Sequence, residues 1–389
     1  MTPTTPQRGF DPTEFESRVE RAQALMAEQS IDLLLLTTEP EFRYYTGFLT
    51  QFWLSPTRPW YLLVPAAGVP VAVVPEIGVP VLERTWIDEI RSWPAPTPHD
   101  EGVSLLVSEI ESLGAARGRI GVPMGPETSV RMPLSDWTRL LVTLPAADVV
   151  DASPIIRAQR MVKSEREITK ISHICRVASA AFDRVPHFAE RGMPLDEAFR
   201  AFKIALLEAG ADDVPYLVGA AEADGYGDVI SPPSGRPLVD GDVLMMDTGA
   251  VWDGYFCDFD RNFAIGHASD PSRRAYDTLY RATEAALAVA VPGASSTDLY
   301  RAMQSVIVDA GYDAGNVGRF GHGLGMQLTE WPSHTATDNT IIEAEMVLTL
   351  EPSMEFAPGK GMVHEENLVV RSDGPELLSR RAPAELPVI

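Results

Sequence analysis

The stretch VLMMDTGAVWDGYFCDFDRNF, residues 243–263, decides how the rest of this chain is read. An apolar run of strand character ends at Asp247, a glycine-containing turn comes next (Gly249, Gly254), and a second strand carries Asp258. A hairpin of this kind brings Asp247 and Asp258 onto one side, near enough to share a pair of cations. Taken singly, a strand aspartate ordinarily faces solvent and an Asp-Gly pair is ordinarily a turn. The pair gains its meaning from three segments nearer the C-terminus.

The first of these is Gly321-His322-Gly323-Leu324-Gly325, a histidine between glycines that permit close backbone approach. LTLEPSM then sets Glu351 at a strand end, and MVHEENLVV offers Glu365 and Glu366 at the start of another. Neighbouring strand residues face opposite ways, so only one of that pair points at a given site. One imidazole with several carboxylates suits two divalent ions of manganese, iron, cobalt or zinc; an all-oxygen calcium cage needs no histidine. Two such ions activate water near neutral pH.

Outward from this constellation the texture divides in two. Phe15 to Glu28 has helical periodicity, and IDLLLLTT, WYLLVP, VAVVPEI, RIGVPM and ADVVDAS read as strands, with helices predicted over Val103–Leu113 and Ser135–Leu144. That is a small α/β domain over residues 1–155. From residue 156 onward long helices alternate with strands. Ser164 and Glu167 form a capping box for the first helix, and others are predicted over Pro194–Glu208, Ser272–Val291 and Ser296–Ala310. Strands are predicted over Val243–Asp247, Tyr255–Ala264, Met346–Glu351 and Asn367–Arg371, an α+β domain with antiparallel strands over residues 156–389. The net charge of -23 argues against nucleic acid and anionic membrane as partners. Cys175 and Cys257 make no disulfide framework, there is no signal-like N-terminus, and apolar runs such as Leu33–Leu36 are too short to span a bilayer. The expectation is a cytoplasmic enzyme.

In order and spacing, MDTGAVWDGYFCDFDR, GHGLG, LEPSM and HEENLVV resemble the metal-ligand segments of the "pita-bread" superfamily of methionine aminopeptidase, prolidase, aminopeptidase P and creatinase. The α/β N-terminal domain is similar to that of the longer prolidase/creatinase branch. The resemblance implies a dinuclear metal site held by Asp247, Asp258, His322, Glu351 and Glu366, with manganese the first choice. It selects Glu366 because prolidase-like members place the last ligand before Asp or Asn. Asp258 and Glu366 would bridge the metals, and Glu351 and His322 would be catalytic as well as ligands. The implied function is hydrolysis of an amide-type C–N bond in a dipeptide or another small substrate such as ectoine. The alternative is a metal-assisted lyase acting on a small zwitterion such as dimethylsulfoniopropionate, with Glu330 or Asp260 as base.

Three departures from the family pattern stand out. Thr329, in TEWP, replaces a histidine that binds the scissile amide in proline-specific members. The stretch Val229–Arg236 lacks a second such histidine, and Asp260 stands where a threonine is usual. Trp331 and His334 lie further along the same loop as substrate-binding candidates. In the N-terminal domain, Tyr44, Tyr45, Phe48, Phe52, Trp53 and Trp60 crowd around Arg58. The resemblance implies a homodimer in which this segment roofs the partner's site, with Arg58, Trp53 and Tyr45 facing substrate; the other reading of the aromatics is domain core.

Overall fold

The computed structural model describes residues 5–56, 58–313 and 318–389; the first four residues of the Pro/Thr-rich tail lie outside them. The chain divides into two compact units, Gln7–Arg160 and Met161–Ile389.

The first unit is built on a mixed sheet of β1 (Leu33–Leu36), β2 (Tyr61–Pro65), β3 (Val71–Pro75), β4 (Glu89–Trp93), β5 (Arg119–Val122) and β6 (Asp148–Asp151), in the order β4-β3-β2-β1-β5-β6. β1 runs antiparallel to β2 and parallel to β5. Every residue of β1, β2 and β3 is buried, which is why these strands read as continuous apolar runs. β4 escapes sequence reading because it is an edge strand in which only Trp93 is buried. Its Glu89 and Arg91 pair with each other at 2.8 Å and give no alternation to detect.

Tyr44, Tyr45, Phe48 and Trp60 are all about 1% exposed and belong to the interior of this unit. Tyr45 meets the side-chain amide of Gln159 with its hydroxyl, and Trp53 packs on Phe42 at 5.7 Å and on Trp60 at 5.8 Å. This corrects the expectation that Tyr45 and Trp53 face substrate. Such large rings release most free energy when wholly desolvated against one another, and that is where the chain puts them. Arg58 lies over the Phe52 ring at 5.2 Å with a left-handed φ of 63°.

The second unit begins with the helix Glu165–Phe182, capped as the sequence implies. The Ser164 hydroxyl accepts from the Glu167 N–H at 3.3 Å and the Glu167 carboxylate from the Ser164 N–H at 3.0 Å. Three further long helices cover Leu195–Ala209, Asp270–Val289 and Ser296–Asp309. The last two pack Leu279, Ala282, Leu299 and Met303 into a core shared with Leu348 and Leu368. One sheet holds β7 (Asp213–Ala223), β8 (Asp242–Trp252), β9 (Tyr255–Phe256) and β10 (Phe259–Ala264). A second has the order β12-β11-β13-β16-β17, where β11 is His322–Gly323, β12 Glu330–Ser333, β13 Val347–Leu350, β16 Glu366–Arg371 and β17 Gly374–Leu377. β14 (Ser353–Ala357) and β15 (Lys360–Val363) form a separate hairpin.

The aspartate hairpin differs from expectation in where it turns. β8 runs five residues past Asp247, and the turn lies at Asp253 and Gly254, both with positive φ (46° and 75°), as a two-residue hairpin loop requires. Gly249 is mid-strand, where a Cβ would meet Leu328 Cδ1 at 2.2 Å. The return strand breaks at Cys257-Asp258 between β9 and β10. Among the described residues, no helix is long and apolar enough to cross a membrane.

Candidate metal centre

Asp247 lies directly opposite Asp260 across the β8–β10 ladder. Opposed residues share a face with Cβ atoms about 5 Å apart, so two like charges there are destabilising unless something neutralises them. Asp260 Oδ2 accepts from Asn262 Nδ2 at 2.7 Å. Asp260 Oδ1 and Asp247 Oδ1 are buried and, among the described residues, have no hydrogen-bond partner. Asp258, in the strand break, is fixed through its backbone: its N–H donates to Asn367 Oδ1 at 2.9 Å, and Asn367 Nδ2 donates back to its carbonyl.

His322 is held by its glycines. Gly321 has a φ of 115°, and a Cβ there would stand 2.3 Å from the Thr349 carbonyl oxygen; one on Gly323 would stand 2.0 Å from that of Trp331. The His322 N–H donates to Thr349 Oγ1 at 3.0 Å, and ring Nδ1 pairs with the Gly323 carbonyl at 2.8 Å. A carbonyl can only accept, so Nδ1 carries the proton and Nε2 keeps its lone pair, 3.4 Å from Asp258 Oδ2. Burial, with the Arg319 charge added, pushes the imidazole down to about 3. A neutral ring with a free Nε2 and a held Nδ1 is the form that ligates metal.

Glu365 and Glu366 have opposite surroundings. Glu366 Oε1 accepts from Arg381 Nη1 at 3.0 Å and from the Ala382 N–H at 2.8 Å; Oε2 accepts from Arg261 Nη2 at 3.0 Å and from the Ser379 hydroxyl. Burial alone would push Glu366 up, but the Arg261 charge and these bonds outweigh it and hold the carboxyl below its usual range. Glu365 is 2% exposed with Oε1 unpaired, and its ligand oxygen lies with Asp258 and His322 in a group whose donor atoms are all within 4.8 Å of one another. The expectation of Glu366 is thereby corrected. The signal that could have found Glu365 is register. Leu350 pairs with Glu366 across β13–β16. Directly opposed residues share a face, so Glu351 and Glu365, each one step beyond that pair, turn together to the other face. Asn367, taken from sequence as the mark of the preceding ligand, instead anchors Asp258.

Desolvation, with mutual repulsion at most of these groups, raises every carboxyl in the cluster. Asp247 and Glu351 rise to about 7, while Asp258, Asp260 and Glu365 are pushed well above the carboxylate range. Asp247, Asp260, Glu351 and Glu365 line one cavity of about 830 Å³, joined by Tyr216 and Arg319. Buried oxygens without donors, one neutral imidazole and accumulated negative charge fit divalent cations, which supply the charge that protons otherwise must.

The remaining expected residues fall elsewhere. Glu330 has both oxygens engaged: Oε2 accepts from Lys163 Nζ at 3.0 Å and Oε1 from the Met326 N–H at 2.9 Å. It is a buried tie between Lys163 and the loop, and a carboxylate so occupied is no base; the lyase alternative loses its first candidate. Trp331 is buried in β12 outside the cavity lining. His334, the other substrate-binding candidate of that loop, is fully buried with Nδ1 on the Ser296 hydroxyl at 2.8 Å. Arg319 and Tyr216 went unnoticed in sequence, where neither stands in a recognisable pattern.

Known proteins resemble this chain in both sequence and architecture. The family model of metallopeptidase family M24 matches residues 169–372, and that of the creatinase/prolidase N-terminal domain matches residues 18–162. A probable dipeptidase PepE of Mycobacterium tuberculosis is 27% identical over 393 residues, covering 98% of both chains. An Xaa-Pro dipeptidase of Pyrococcus horikoshii is 24% identical over 93% of this chain and 97% of its own. The crystal structure of dipeptidase PepE from Mycobacterium ulcerans superimposes with a TM-score of 0.85 at 26% identity, covering 98% of this chain and 99% of that one.

Proposed function

We propose, from the premise that this chain belongs to metallopeptidase family M24, that it is a divalent-metal-dependent dipeptidase whose ligands are Asp247, Asp258, His322, Glu351 and Glu365. The observation that carries this reading is the convergence of Asp258, His322 and Glu365, with unpaired buried oxygens on Glu365 and on Asp247 and Asp260 of the cavity that Glu365 lines. Two bound divalent ions would supply Lewis acidity, polarising a carbonyl and lowering the pKa of water. The donor set suits manganese, with iron, cobalt and zinc compatible.

The chain's own residues do the rest. Nδ1 of His322, tied to the Gly323 carbonyl, keeps the ring from turning. Asn367 fixes the backbone of Asp258. Glu351, on the lining of the same cavity as Asp247 and Glu365, is placed to accept a proton and return it. Tyr216 lines the same cavity as Asp247. The dipeptidases among the relatives support a dipeptide substrate, and a homodimer is part of the same reading.

Thr329 offers no imidazole donor where proline-specific members have one, and its hydroxyl accepts from Arg319 Nη2 at 3.2 Å. Losing a donor to a reaction intermediate costs roughly 10²–10³ in rate. The manganese-loaded protein should therefore hydrolyse ordinary dipeptides and be about 100-fold slower on Ala-Pro and Gly-Pro. Competition assays on mixed dipeptides measure this; a preference for Xaa-Pro would reverse the specificity assignment, and no dipeptide cleavage would end the reading.

A further inference from the structure

We infer that Asp260 is a further protein ligand of the metal centre, holding one of its two divalent ions together with Asp247 and biasing that position toward manganese; this rests on the metal-dependent reading above. Asp247 and Asp260 oppose each other across the β8–β10 ladder, and both line the cavity. Asp260 is 2% exposed, and its two oxygens differ. Oδ2 accepts from Asn262 Nδ2 at 2.7 Å. That amide is itself fixed: Nδ2 also donates to the Val363 carbonyl at 2.8 Å, and the Asn262 Oδ1 accepts from the Tyr226 hydroxyl at 2.8 Å. The Tyr226 oxygen in turn accepts from the Val363 N–H at 2.9 Å. Oδ1 of Asp260 has no partner among the described residues, and neither has Oδ1 of Asp247.

One oxygen held by a supported amide and the other left bare is the arrangement of a ligating carboxylate, which its outer hydrogen bonds orient. A bare buried acceptor opposite a like charge is costly, and a cation shared by the two oxygens removes both penalties. A single divalent ion matches two carboxylates; a substrate ammonium brings only one charge. Asp258, His322 and Glu365 already gather donor atoms within 4.8 Å of one another for one ion, imidazole included. Asp247 and Asp260 supply the other position with carboxylate oxygens. Oxygen-rich sites of high coordination number suit manganese, whereas zinc is satisfied by four ligands and gains less from one more oxygen.

The test is metal binding by chelated protein, read by competition with a chromophoric chelator and by elemental analysis, so it needs no turnover. The wild type should bind two manganese ions. Asp260→Asn keeps the shape of the side chain, and Asp260→Thr suits a strand. Both variants should keep one ion while affinity for the other falls roughly 10- to 100-fold, the loss that removing even an indirect support of a metal site produces. Zinc affinity should fall less, so the manganese-over-zinc ratio drops. Ile230→Ala, on the lining of the same cavity, should keep both ions, and melting temperature should show each variant folded. Two manganese ions bound with wild-type affinity in both Asp260 variants would overturn the assignment while leaving the metal centre standing. So would an equal loss of manganese and zinc, which marks a structural role. Unaltered metal binding with KM raised only for dipeptides bearing a free amine would also overturn it, and would make Asp260 the receptor of the substrate ammonium. A wild type that binds no manganese would overturn both readings.

Discussion

Removing the carboxylate of Glu365 takes away a donor that still has an unpaired buried oxygen; removing that of Glu366 strands Arg261 and Arg381. The two substitutions should therefore fail in different ways. Glu365→Ala should lose bound metal and activity while the metal-free protein unfolds in urea no earlier than wild type, since a buried carboxyl with an unpaired oxygen is gone. Glu366→Ala should cost on the order of 3 kcal/mol in that measurement, the penalty of leaving a buried charge uncompensated. Equal metal loss with no difference in stability would contradict the geometry. The acidic cluster also sets a pH dependence. Asp247 and Glu351 rise in the folded chain to about 7, against about 4 when unfolded. The folded state thus binds the extra protons, and the stability they allow is present below about pH 4 and lost as pH rises to about 7. Chelated protein should melt progressively lower across that window, and added manganese should flatten the trend. A chelated protein whose melting point is constant there would show that burial does not raise these carboxyls.

At the scale of elements, the glycines around His322 carry the site's precision. Gly321→Ala must both accept a left-handed φ of 115° and push back the Thr349 carbonyl, 2.3 Å from the new Cβ. We expect a loss of at least about 2 kcal/mol in urea unfolding, with weakened metal retention, because Thr349 also receives the His322 N–H. Unchanged stability would mean that β11 and β13 can part without cost. Much at this scale was legible in the sequence: the Ser164–Glu167 cap, the apolar strands of the first sheet, and the long helices, each written in local pattern. β4 and β7 were not. β4 is a charged edge strand, and β7 carries Pro215, with a register shift between Asp213 and Tyr216, so neither shows alternation. The aspartate hairpin was legible as a hairpin but not in its turn, because Gly249 serves a close approach to Leu328 and not a reversal. The choice between Glu365 and Glu366 needed the β13–β16 register, a long-range pairing that local sequence does not encode.

The molecule as a whole is two units, one an α/β sheet domain and the other the M24 fold, and the order of its acidic segments foretold that fold better than composition did. A net charge of -23 argues against whole classes of partner but says nothing of where five carboxylates meet. Arg319 shows the same limit from the other side: one cation among 32 Lys and Arg residues, set by the fold on the wall of the acidic cavity. The central claim is that this cavity is a metal centre on which hydrolysis depends. It is tested most directly by titrating chelated, refolding-competent protein with manganese while measuring bound metal by elemental analysis and dipeptide hydrolysis in the same samples. The account predicts that hydrolysis is absent without metal and rises with occupancy to a plateau at about two ions per chain. A metal-free protein that hydrolyses dipeptides at the full rate would contradict it.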